Sequence, residues 1–153
     1  MAYTTAEARQ DLLEAIADAA ARLSFAAACL SEAYELLDEQ TGDRLEETCF
    51  RPVQQAYGRA KRARTDFAAR HGLAVEAPAT NDDAGPPSQG VAAFVEQAAH
   101  AAGEADQILA ELQDSMLPVE AGDEELRAGI RGIREPLGGL PAAARDFLRS
   151  RGR

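Results

Sequence analysis

Three side chains at helical spacing, Glu96, His100 and Glu104, form the first constellation capable of chemistry. Set at i, i+4 and i+8, they share one side of a helix. An imidazole between carboxylates there can hold a divalent cation or act as a general base. The surrounding apolar positions decide between that use and a solvated surface. Val91, Ala98, Ala105 and Leu112 define the inner stripe, and His100 lies two residues past Ala98, about 200° around the helix. A water-facing row is therefore expected, with metal or small-ligand binding at Glu96, His100 and Glu104 as the alternative. A di-iron carboxylate bundle needs inward-pointing Glu-x-x-His pairs from several helices. Here the spacing is Glu-x-x-x-His, and it occurs once. No cofactor is expected.

A second group of residues is basic: Arg51, Arg59, Lys61, Arg62, Arg64 and Arg70. Arg59, Lys61, Arg62 and Arg64 are the candidate partner-binding residues, and the simplest use of this face is to meet acidic surface. Arg64 and His71 also have the spacing Arg-x-x-x-x-x-x-His, and in these two residues the chain resembles the HEPN family of four-helix ribonucleases. That resemblance implies RNA cleavage with Arg64 and His71 at the site. The formal net charge of −10 and the small aromatic fraction of 5% disfavour nucleic acid as a partner.

A third feature is the run Glu135-Pro136-Leu137-Gly138-Gly139-Leu140-Pro141. A helix opened by proline leaves carbonyls without donors, which a cation or ligand can use, although a plain chain bend is the simpler reading. Cys29 and Cys49 lack the spacing of a zinc site. Their levels on an antiparallel hairpin differ by ~9 Å along the axis, outside the disulfide window, so free thiols are expected. Phosphate-loop, Gly-x-Ser-x-Gly and His-Glu-x-x-His motifs are absent.

Helices must position all these residues. Leu12, Ile16, Leu23, Leu30 and Leu37 recur with Ala19, Ala26 and Ala33 between them, and Leu13, Ala20, Ala27 and Tyr34 widen the stripe. The pattern predicts a first helix over about 5–40, ended by Gly42, with Asp43 capping a second over about 44–71. Leu45, Cys49, Val53, Ala56, Ala60, Ala63 and Phe67 form the inner face of the second, and Pro52 is expected to kink it. Residues 73–87 contain three prolines and no apolar period, so they read as a long flexible connection. A third helix over about 88–116, capped by Ser88, carries Val91, Phe94, Ala98, Ala101, Ala105, Ile108, Leu112 and Met116. A fourth over about 123–150 carries Leu126, Ile130, Ile133, Leu137, Leu140, Ala144 and Phe147, with a break at Pro136–Pro141.

The chain of 153 residues, 46% hydrophobic and 27% charged, has the size and balance of one domain, so residues 1–153 are expected to form a single all-α unit. Segment charges are −6 over 1–40, +3 over 41–72, −5 over 91–117 and +1 over 118–153. Alternating signs favour an antiparallel up-down-up-down four-helix bundle. No apolar run reaches the ~20 residues of a membrane span, and a cytoplasmic location is expected. The functional expectation is a non-enzymatic protein acting through protein–protein contacts or as a scaffold. Phe25 and Tyr34 beside the main stripe extend the apolar surface towards a self-association interface on this pattern.

Overall fold

Thr4 and Glu7 start the first helix with a reciprocal cap: Glu7 N–H donates to Thr4 Oγ1 at 3.1 Å, and Thr4 N–H donates to Glu7 Oε2 at 3.0 Å. The computed structural model describes residues 4–80 and 82–151. Among these, the helices are α1 (Thr5–Glu35), α2 (Glu39–Leu45), α3 (Arg51–Arg70), α4 (Val91–Asp114), α5 (Leu117–Glu120), α6 (Glu124–Arg134) and α7 (Leu140–Arg151). A π turn at Glu46–Phe50 joins α2 and α3 into one rod, and a 3₁₀ turn at Glu135–Leu137 divides α6 from α7. Four rods pack around an aliphatic core, with the long connection and broken last helix expected from sequence.

The inner stripes fall where the spacing puts them. All seven apolar positions of the fourth rod are buried across its break, as are Leu45, Cys49, Val53, Ala56, Ala60 and Phe67 of the second. Met116 is an exception at 59% exposed, because α4 ends at Asp114 and Pro118 holds the chain out of helical register. Three boundaries also move. Asp38, not Asp43, caps the second rod, donated to by Thr41 N–H at 2.8 Å. Gly42 sits inside the first turns of α2 against the Tyr34 ring, where a Cβ would stand 3.1 Å from Cε2. Gly90, at φ +86°, follows a short 3₁₀ turn at Pro87–Gln89 and precedes α4 in place of a Ser88 cap. Pro52 is taken up by the π turn ahead of it, in which Arg51 N–H bonds to Glu46 O. The expected kink is thus a widened turn.

The direction of the rods differs from the up-down-up-down expectation. Arg64 reaches Leu13 O, and Arg59 reaches Gly132 O, so α1 with α3 and α3 with α6 run antiparallel. Cys29 meets Gln97, Arg22 meets Glu104 and Arg9 meets Ala121 O, so α4 is antiparallel to α1 as well. The order is up-down-down-up, with α1 and α4 forming the most extensive interface. Residues 72–90 carry the chain from the lower end back to the upper end. Nineteen residues can span ~60 Å when extended, well beyond the ~36 Å of a 24-residue helix such as α4. This crossover is partly anchored: Leu73 and Val75 pack on the core and Ala84 is buried.

Core shape explains why like-charged rods are neighbours. Ala19, Ala26 and Ala33 of α1 and Ala98, Ala101, Ala102 and Ala105 of α4 are buried small residues that allow close helix approach. Exposed charge pairs contribute only ~0–1 kcal/mol each, too little to direct the packing.

Candidate functional site

The bundle arrangement sorts surface charge. The −6 and −5 segments holding α1 and α4 stand side by side, and the +3 and +1 segments holding α3 and α6–α7 stand opposite them. Between α3 and α6 lies a groove of about 250 Å³ floored by Ala63, Gly129 and Gly132, with three arginines, Arg59, Arg62 and Arg70, and two carboxylates, Asp66 and Glu125, around them. Gly129 is needed for this approach, since a Cβ there would lie 3.2 Å from that of Ala63.

The candidate basic residues have distinct employments. Arg59 Nη1 donates to Gly132 O at 2.7 Å. In an α-helix that carbonyl would accept from the N–H of residue 136, which is proline. The cation drawn to the opened helix is therefore an arginine of the same chain. Arg64 donates from Nε to Leu13 O at 3.2 Å and from Nη1 to Glu76 O, clamping α1 and the crossover to α3. Lys61 and Arg62 point outwards, with Lys61 Nζ 4.3 Å above the Tyr57 ring.

At the lower end Asp123 gathers four donors. Arg70 binds it through Nε and Nη2, each at 2.9 Å, and Leu126 N–H donates to Oδ1 at 2.7 Å as the N-cap bond of α6. His71 Nε2 lies 2.9 Å from Oδ2, with its ring 4.5 Å from that of Phe67. The Arg70 hydrogen bonds hold the Asp123 carboxyl well below the usual carboxylate range, with the cap bond and His71 adding to them. Arg64 and His71 thus serve different partners, a backbone clamp and a carboxylate.

Glu96, His100 and Glu104 lie on the solvated face of α4. The His100 side chain is 80% exposed, and its Nε2 stands 3.8 Å from Glu104 Oε1, while Glu104 Oε2 lies 3.8 Å from Arg22 Nε. Among the described residues, no group of three His, Cys, Asp or Glu side chains is placed to hold a metal ion. His100, near the upper end, and His71, at the lower end, are separated by most of the bundle's length.

The interior is apolar and closed. A small void bounded by Leu30, Cys49, Val95, Ala98, Leu140 and Ala144 does not admit a water-sized sphere. No buried side-chain nitrogen or oxygen among the described residues lacks a partner. Cys29 and Cys49 are buried free thiols, and burial pushes Cys29 up to about 11 and raises Cys49. No helix among the described residues is long and apolar enough to cross a membrane.

Sequence reasoning missed the partners of the arginines. Pro136 was the available signal, because a proline at position i frees the carbonyl at i−4. Nothing comparable marks Leu13 O or Ala121 O, which accept from Arg64 and Arg9. Compared with protein-family models, with curated proteins and with solved structures, the chain matches none.

Proposed function

We propose that the protein is a non-enzymatic interaction module that docks an acidic protein partner on the outer face of α3. The observation that supports this reading is the charge sorting produced by the up-down-down-up order, which turns a basic face away from the acidic α1–α4 side. Lys61 and Arg62 are the contact residues. Arg59 and Arg64 frame the surface while holding backbone carbonyls, so their removal tests the fold as much as the contact. A closed aliphatic interior fits this role better than a cofactor or substrate site. Buried free thiols suit a reducing compartment such as the cytoplasm.

The test is fluorescence anisotropy of a labelled oligo-glutamate peptide against the wild type and the Lys61→Glu/Arg62→Glu variant. The wild type is expected to bind in a salt-sensitive manner and the variant to lose binding with unchanged helical circular dichroism. Equal binding by both proteins removes this face from consideration. The same samples incubated with labelled RNA check the ribonuclease alternative. Cleavage that disappears in both Arg64→Ala and His71→Ala would replace the interaction reading.

A further inference from the structure

We infer that the α4–α6 face is a self-complementary interface that pairs two copies of this chain about a two-fold axis parallel to the rods. This face places acidic α4 beside the last two turns of α6, which carry Arg127, Arg131 and Arg134. Its groove, about 470 Å³, is lined by Asp106, Gln113, Arg131, Arg134, Glu135 and Gly138. Two of the three α6 arginines have partners: Arg134 binds Asp106 at 2.8 Å and Gln113 at 2.6 Å, and Arg127 donates to Pro118 O. Arg131 is exposed, and its side chain makes no hydrogen bond or ion pair among the described residues.

Register gives Arg131 its complement. Arg134 reaches Gln113, and Gln113 shares a second groove with Arg131, so Arg131 stands level with the last turn of α4. That turn carries the exposed carboxylate Asp114, whereas Glu111, seven residues after Glu104, is turned with it towards the α1 side and accepts from Gln107. Rotation about an axis parallel to the rods lays α6 of one copy over α4 of the other at the same height. Arg131 then faces Asp114 of the second copy, and the contact occurs twice. Val119, 60% exposed and lining the second groove, adds apolar surface at its lower end. The α1–α3 side also joins acidic to basic, but the crossover clamped by Arg64 lies there. The α4–α6 side carries no such strap.

Sedimentation velocity across a concentration series tests the pairing. The wild type is expected at twice the 16.3 kDa chain mass. Arg131→Glu and Asp114→Arg, made as separate variants, are each expected to weaken the dimer by about tenfold or more, since every reversal is met twice. Mixing the two variants restores a dimer, because every reversed charge then faces its opposite. Arg131→Ala, a milder change, is expected to weaken association in the same direction and serves if charge reversal disturbs α6. A wild type that stays monomeric at every concentration overturns the proposal. So does a dimer indifferent to Arg131→Glu, or a mixture that fails to reassociate.

Discussion

Arg59 offers a direct test of the carbonyl argument. Replacing it with alanine leaves Gly132 O without its 2.7 Å donor, and Pro136 supplies none. A hydrogen bond from a charged donor contributes ~1.5–3 kcal/mol; partial exposure here places the expected loss near the lower end, about 1.5 kcal/mol. For a chain of this size each kcal/mol lowers Tm by about 2–4 °C. The loss of Arg59's alkyl packing is separated by a double-mutant cycle with Pro136→Ala. Alanine restores a backbone N–H four residues after Gly132, so Arg59 becomes partly redundant. Arg59→Ala should then cost about 1 kcal/mol less than it does beside Pro136. Urea unfolding of the four proteins, followed by circular dichroism, measures the coupling. Equal losses in both backgrounds would refute the idea that proline creates the need for the arginine.

Arg64→Ala should release the crossover from α1 and α3, seen as faster limited proteolysis within residues 74–83 while the helical signal persists. Asp123→Asn should flatten the acid limb of stability. The wild-type carboxyl is depressed, so its contribution is full above an unfolded pKa of about 3.9 and falls as pH drops through the lower folded value. Urea midpoints measured from pH 7 downward should therefore decline more steeply below pH ~4 in the wild type than in the variant, and parallel curves would count against the pairing. Both cysteines should resist a thiol reagent in the native protein and react after unfolding, because burial and a raised pKa suppress thiolate. Prompt native labelling would contradict their buried placement.

Periodicity made the core legible because burial of large apolar side chains dominates helix orientation. Leu126 through Phe147 keep their inward face even across a broken rod, since the turn at Glu135–Leu137 preserves the angular spacing closely enough. The exposure of His100 followed from the same arithmetic. Rod direction did not, because it depends on how two alanine faces fit and on a crossover long enough to run back along the bundle. Surface charges were a poor guide to neighbours, being individually weak beside that packing. Among the basic residues, type and spacing marked a face but not the outward side chains. Arg59 and Arg64 are turned to backbone carbonyls, which are the same atom in every residue and leave no mark in the sequence.

Charge sorting also sets how an acidic partner should respond to salt. The whole chain carries −10 and repels such a partner, whereas the α3 face attracts it. Which is felt depends on range. A helix is ~10 Å across, so the acidic side lies about two helix widths, or ~20 Å, from a ligand docked on α3. At physiological ionic strength the Debye length is ~8 Å, which screens the far side while leaving contacts at Lys61 and Arg62 largely effective. At 0.01 M it is ~30 Å, and the net negative charge reaches the ligand. Affinity for an acidic peptide is therefore expected to rise from very low salt to an intermediate optimum and fall again as local contacts are screened. Anisotropy titrations across that range check it. A monotonic decline from the lowest salt would mean that the far acidic side has no influence, and an increase continuing to high salt would mean that the contact is apolar.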